Sequence, residues 1–186
     1  MQNKIEQTLR ECVIKERIAL MKLRKLKTED ALLMLEWMHD ESVVSNMQTD
    51  FSAKTLQDCQ NFIYESQHTH HNLHLAVVDD SDLYMGTVSL KNITKDSAEF
   101  AIVVRREAMG KDYSKYAMKK IIEIGFEKLG LKQIYWCVDP DNRRAVRFYD
   151  KNGYRKADCS TLPLECEEAR YTDEKKASYI WYQVKC

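Results

Sequence analysis

The sequence predicts a single α/β domain. Three observations carry this. The segment 97–104, Ser-Ala-Glu-Phe-Ala-Ile-Val-Val, is apolar on both faces and reads as a central strand covered on each side. Two strand–helix units then follow one another, residues 97–129 and 133–152, and each helix is stopped by a glycine, Gly130 or Gly153. The chain has 186 residues, enough for one α/β domain to close its own core.

Residues 1–20 read as an amphipathic helical extension, with Ile5, Leu9, Cys12 or Val13, and Leu20 on one side. This extension either packs on the domain or pairs two copies as a homodimer. The domain proper is expected over 21–186. Thr28 is expected to cap a helix whose first turn holds Glu29 and Asp30 and whose apolar positions are Leu32, Leu35 and Met38. Trp37, His39 and Asp40 stand near its end. Ser52 is expected to cap the next helix, which runs to about Ser66. A hairpin from His74 to Asn92 turns around Asp79-Asp80-Ser81-Asp82.

After the central strand comes a basic loop, 105–113, and a helix expected from Ser114 to Leu129 with Ala117, Ile121, Gly125 and Phe126 on its apolar stripe. The strand 133–138 runs into a helix for which Asp139 is the expected N-cap and Pro140 the first turn. Asn142, Ala145 and Tyr149 share one stripe of that helix, presenting an amide, a small gap and a phenol to one side. A last strand pair is expected at 154–158 and 178–184, joined by a polar, irregular linker over 160–176.

Strand, glycine-bearing loop and helix N-terminus together form an anion site, because backbone N–H groups converge there and the helix dipole favours negative charge. Formal net charge is zero. A nucleic-acid surface usually shows as a clustered basic excess, which this chain lacks. The local cations Arg105, Arg106, Lys111, Arg143, Arg144 and Arg147 gather around the two strand–helix units, so a small anionic ligand is the better reading. No long apolar run predicts a membrane span. Six scattered cysteines without a Cys-x-x-Cys pair read as reduced cytoplasmic thiols. His68, His70, His71 and His74 form a short tract that reads as a polar loop leading into a strand, and no metal is expected.

The pattern Asn-x-x-Ala-x-x-x-Tyr-x-x-x-Gly-aromatic, on Asn142, Ala145, Tyr149, Gly153 and Tyr154, resembles the acyl-CoA-binding unit of the GNAT-superfamily N-acetyltransferases. The order of elements from residue 21, with 21–26 as first strand, matches that family's mixed twisted sheet with helices on both faces. The resemblance implies acetyl-CoA as co-substrate, with its pyrophosphate on Met109, Gly110, Lys111, Asp112, Tyr113 and Ser114. It places the pantetheine arm against Asn142 and Ala145, with a backbone N–H at Val103 or Val104 expected to polarise the thioester carbonyl. The family loop has Gln or Arg, then Gly, then Gly or Ala at places occupied here by Met109, Asp112 and Ser114, so this chain departs from the pattern at all three.

Acyl transfer to an amine needs a neutral amine, a polarised carbonyl and a proton for the leaving thiolate. Tyr149 is the expected acid. Glu99, an acid within an apolar strand, is the candidate base, with a structural Glu as the alternative. For the acceptor, expected to be a small-molecule amine, Trp37, His39 and Asp40 resemble the aminosugar-acting branch of that family, with core packing as the alternative for Trp37, and the reading leans to an aminosugar nucleotide. A polyamine, a protein N-terminus, or a non-catalytic CoA-binding sensor are the alternatives.

Overall fold

The computed structural model describes residues 20–47, 49–163 and 171–186. The expected N-terminal helix lies, apart from Leu20, outside the described residues. The rest builds one seven-stranded sheet in the order β1-β2-β3-β4-β5-β7-β6. Its strands are β1 (Lys22–Lys25), β2 (Leu73–Val78), β3 (Tyr84–Lys91), β4 (Ser97–Val104), β5 (Gln133–Val138), β6 (Arg155–Ala157) and β7 (Ile180–Lys185). All neighbours pair antiparallel except β4 and β5, which run parallel. The sheet is therefore mixed, as expected.

Alternation along β4 assigns its two faces. Ala98, Phe100, Ile102 and Val104 pack into one core with α4 (Tyr113–Glu123) and α5 (Arg143–Lys151), through Ala117, Met118, Ile121 and Tyr149. Val103 turns to the other face, where α1 (Ala31–Met38), α2 (Glu41–Val44) and α3 (Leu56–Ser66) bury Met34, Trp37, Val43, Cys59 and Ile63. A third cluster on that side holds Tyr135, Leu162, Tyr171 and Trp181. Gly86 is required where β3 meets β4, since a Cβ there would lie 2.3 Å from the Val103 carbonyl oxygen.

Several boundaries move from their expected places, each for a local reason. Thr55, not Ser52, caps α3: its hydroxyl accepts from the Asp58 N–H, and the Asp58 carboxylate accepts from the Thr55 N–H at 2.8 Å. Thr28 caps nothing. Asp30 accepts from the Lys27 N–H at 2.8 Å while paired to Arg24, its side chain makes no cap bond to α1, and residues 28–30 form only a tight turn before that helix. α4 begins at Tyr113, ends at Glu123 and continues into a wide turn over Ile124–Lys128. The linker is not wholly irregular. Thr172 caps a short helix, α6 (Asp173–Ser178), and Tyr171 is buried.

Candidate active site

The site is built where β4 and β5 part. The two strands pair at Ser97–Gln133, Ala98–Ile134 and Glu99–Tyr135, and then stop. Beyond that rung β4 is held only by β3, from Phe100 opposite Leu90 to Val104 opposite Gly86. β5 is held only by β7, through Trp136, Cys137 and Val138. A V-shaped cleft results, with edge backbone groups of Phe100–Val104 outside the β4–β5 ladder. A buried strand edge needs partners, and an extended amide-bearing arm would supply them.

The loop at the mouth of this cleft has the conformation an anion site needs. Gly110 and Asp112 both adopt left-handed backbone, φ 71° and 66°. Asp112 is the N-cap residue of α4. Asp is among the side chains that tolerate this region, so the backbone turn that the resemblance assigns to glycine is formed without it. The first turn of α4 then directs N–H groups and the positive end of the dipole at the loop. Lys111 is exposed beside it. Met109 packs against the α1–α3 core, and its sulfur lies 2.8 Å from Arg144 Nη1 on α5.

Two of the six cations gathered by the sequence reading do not serve this loop. Arg105 is buried, donates to Glu36 at 2.6 Å and to the Tyr84 carbonyl, and so locks β4 to α1. Arg106 donates to Asp40 at 2.8 Å and to the Ser42 hydroxyl. Lys111, Arg143, Arg144 and Arg147 remain exposed on the α4 and α5 side.

α5 starts one residue after Asn142, which replaces Asp139 as the N-cap. Its Oδ1 accepts from the Ala145 N–H at 3.1 Å. The cap fixes the entry of the helix and leaves the Asn142 amide N–H groups for a ligand. Ala145 is half-buried and Tyr149 is buried on the same stripe. The Tyr149 ring meets Trp136 at 5.3 Å, Tyr182 at 5.1 Å and Tyr154 at 6.2 Å. Among the described residues its hydroxyl has no hydrogen-bond partner. Burial holds its pKa above the ordinary tyrosine value, so the phenol stays protonated at neutral pH.

Glu99 does not stand open in the cleft. It is 4 % exposed, and its carboxylate accepts from Lys91 Nζ at 2.9 Å, Tyr171 Oη at 3.2 Å and Asn92 Nδ2 at 3.4 Å. These contacts hold the carboxylate against β3 and the segment before α6, a bracing role that competes with the base role expected from the sequence. Tyr171 lies in the linker read as irregular, and no local pattern announces its contact with Glu99.

On the acceptor side, the expected residues separate. Trp37 is 5 % exposed, and its indole N–H donates to Tyr84 Oη at 3.1 Å. Its ring belongs to the core, so it does not line a binding surface as expected. His39 is exposed, with Nε2 3.0 Å from the Lys54 carbonyl. Asp40 caps α2, and hydrogen bonds from Ser42 and then Arg106 keep its pKa below the usual carboxylate value. An open groove is lined by Glu36, His39, Asp40, Glu41, Ser42, Ser45 and Arg106, and so carries three carboxylates and one guanidinium. Among the described residues no three His, Cys, Asp or Glu side chains converge as a metal group. No helix there is long and apolar enough to cross a membrane.

A parting parallel pair, a left-handed anion loop and a buried phenol at the junction define an acyl-CoA-dependent transferase site. An acetyltransferase (GNAT) domain model matches residues 21–155, and the chain belongs to the GNAT acetyltransferase family, whose members transfer acetyl from acetyl-CoA to amines. It is 26% identical over 142 residues to the uncharacterized N-acetyltransferase p20 of Bacillus licheniformis, covering 72% of this chain and 78% of that one. It is 22% identical over 160 residues to the acetyltransferase PseH of Campylobacter jejuni, covering 78% of this chain and 99% of that one. Among solved structures, the spermidine N-acetyltransferase of Vibrio cholerae in complex with CoA and spermine superposes with a TM-score of 0.68 at 22% identity, over 75% of this chain and 83% of that one.

Proposed function

We propose that this acetyltransferase acetylates a primary amine of a small cationic molecule, of polyamine type, drawn to the groove between α1 and α2. The observation that carries the acceptor is the groove's charge. Glu36 is paired with Arg105 and Asp40 with Arg106, so Glu41 carries the excess negative charge of the groove, and an ammonium-bearing chain complements it. The earlier lean to an aminosugar rested on Trp37, which is core. A second reading keeps the aminosugar nucleotide, because Arg106 is 63% exposed and would pair with a diphosphate, and because the PseH match spans nearly that whole protein.

In this reading the pantetheine arm lies along Val103 and Val104, with Asn142 and Ala145 opposite. Its pyrophosphate sits on the backbone of Gly110, Asp112, Tyr113 and Ser114, with Lys111 beside it. The amine nitrogen attacks the thioester carbon, the carbon–sulfur bond breaks, and Tyr149 gives its proton to the leaving thiolate. The new amide sheds its extra proton to water. Holding both substrates in line supplies much of the rate. Glu99 acts as a positioning residue that closes the last β4–β5 rung. We place the enzyme in the cytoplasm, which suits its free thiols at Cys59, Cys159 and Cys186.

The test is thiol release from acetyl-CoA with spermidine, an aminosugar nucleotide and an N-terminal peptide in parallel. Turnover with spermidine, weakened by Glu41→Lys, supports the cationic acceptor. Turnover with the sugar nucleotide, weakened by Arg106→Glu, would replace it. Acetyl-CoA binding without release on any amine would favour the sensor.

A further inference from the structure

Nothing at the tip of the Tyr149 side chain aims it, since among the described residues its hydroxyl has no hydrogen-bond partner. The direction of the phenol is set by the rings around it and by the placement of α5. Tyr182 of β7 supplies both. Its ring meets the Tyr149 ring at 5.1 Å and stacks on Trp136 at 5.7 Å with an interplanar angle of 10°. Trp136 is also its partner across the β5–β7 ladder, so backbone and ring fix Tyr182 together. The Tyr182 hydroxyl donates to Oδ1 of Asp150, the residue after Tyr149 on α5, at 2.8 Å. Among the described residues this is the one side-chain hydrogen bond that joins α5 to the sheet. Lys156 of β6 adds an exposed ion pair to the same carboxylate at 3.8 Å. Tyr182 is fully buried, so its hydroxyl needs a partner, and an ionised acceptor makes the stronger kind of bond. Burial, and then the Asp150 carboxylate, hold the Tyr182 pKa above the ordinary tyrosine value, so the donated proton stays in place at neutral pH.

We infer that Tyr182 is a positioning residue for the acid: through its bond to Asp150 it pins the last turn of α5 to β7 and holds the Tyr149 hydroxyl at the leaving sulfur. This rests on the reading of Tyr149 as the acid given above. A proton donor has to sit within hydrogen-bond reach of the atom it serves, and a misplacement of about 1 Å costs rate far more than it costs binding. The groups assigned to CoA lie at the other end of α5 and on the loop before α4. Release of the last turn of α5 therefore acts on kcat and leaves cofactor affinity alone.

The test is a double-mutant cycle on the whole protein, read as thiol release from acetyl-CoA with spermidine, or with the aminosugar nucleotide where spermidine is not turned over. Tyr182→Phe is expected to lower kcat about tenfold while the KM for acetyl-CoA stays within about twofold. Asp150→Ala should do the same, and it carries the test where Tyr182→Phe does not fold. Asp150→Asn keeps an oxygen that accepts from Tyr182, so its kcat should stay within about twofold of wild type. Once Tyr149 is replaced by Phe, removing the Tyr182 hydroxyl should cost nothing further, because its effect runs through the acid. An equal fall in both backgrounds would give Tyr182 a general structural role and overturn the assignment. Unchanged kcat in Tyr182→Phe would overturn it as well. Full turnover in Tyr149→Phe, or no turnover by the wild type on any amine, would overturn the acid reading itself and this assignment with it.

Discussion

Glu99 and Tyr135 form the last rung at which β4 and β5 pair, and the cleft opens one residue further on. The rung is braced from the side. Lys91 Nζ lies 2.9 Å from Glu99, and Tyr171 Oη donates to the same carboxylate oxygen at 3.2 Å. Trp181 stacks edge to face on Tyr171 at 5.2 Å and pairs through β7 with Cys137 of β5. The apex is thereby set by side chains from β3, β4 and the segment before α6, while Tyr149 and Trp136 lie on the opposite face.

Tyr149→Phe tests the acid. The ring contacts with Trp136 and Tyr182 survive, and the hydroxyl has no partner to lose among the described residues, so stability should change little. Turnover is expected to fall about a hundredfold, the usual scale of a general acid, with acetyl-CoA affinity within about twofold. The raised pKa of the wild-type phenol has a further consequence. The alkaline side of the rate profile should show no loss from Tyr149 through the ordinary tyrosine range.

Glu99→Gln separates base from brace. The amide keeps the shape and can still accept from Tyr171, but the Lys91 ammonium loses its counter-charge. Lys91 is 21% exposed in its side chain, so water softens the loss, and about 1–2 kcal/mol of stability should go, read from urea midpoints. Turnover should fall only a few-fold. A hundredfold fall in kcat at unchanged stability would restore Glu99 as the base.

Asp112→Gly addresses the pyrophosphate loop. The left-handed backbone at 112 suits glycine better than aspartate, and the substitution removes a carboxylate from the mouth of the anion site. Acetyl-CoA binding should tighten about two- to fivefold by calorimetry. Lys111→Glu should weaken it by a similar factor, less at high salt. Unchanged affinity in both variants would place the pyrophosphate elsewhere.

Gly86→Ala should damage the fold at the strand that borders the cleft. The new Cβ would meet the Val103 carbonyl oxygen at 2.3 Å and Val104 Cα at 2.8 Å, both backbone atoms that cannot swing away. A loss of about 2–3 kcal/mol is expected in thermal or urea unfolding, with the β3–β4 ladder opening beside the cleft.

The parts of the site that were legible in the sequence are those carried by local spacing. Asn142, Ala145 and Tyr149 fall on one stripe because a helix repeats every 3.6 residues, and the glycines at 130 and 153 mark left-handed stops because few other residues take that backbone. The parts that were not legible depend on distant partners. Nothing near Glu99 announces Lys91 or Tyr171, and nothing near Arg105 announces Glu36 on α1. Trp37 could have been wall or core by pattern alone, and only the Tyr84 hydroxyl 47 residues away decides for core. Cap positions slipped for the same reason at smaller scale: Asp139 and Ser52 are good caps by type, but Asn142 and Thr55 have the geometry.

His74 gives the fold a pH dependence that the sequence did not suggest. Its Nδ1 is 2.7 Å from the Ser89 hydroxyl, and Phe62 packs edge to face on the ring at 4.8 Å. Burial, and then the nearby Lys91 ammonium, push its pKa down to about 4. A lowered pKa in the fold means that the unfolded chain binds more protons between about 4 and about 6.5. Stability is therefore fully present above pH 6.5 and is lost as pH falls through that window. The ring is partly reached by solvent, so the contribution is on the order of 1 kcal/mol. Urea midpoints at pH 7.5 and pH 5 should differ by that amount in the wild type, and by clearly less in His74→Asn, whose amide keeps a partner for Ser89 but does not titrate. Equal pH dependence in the two proteins would assign the effect to other groups and leave His74 as packing alone.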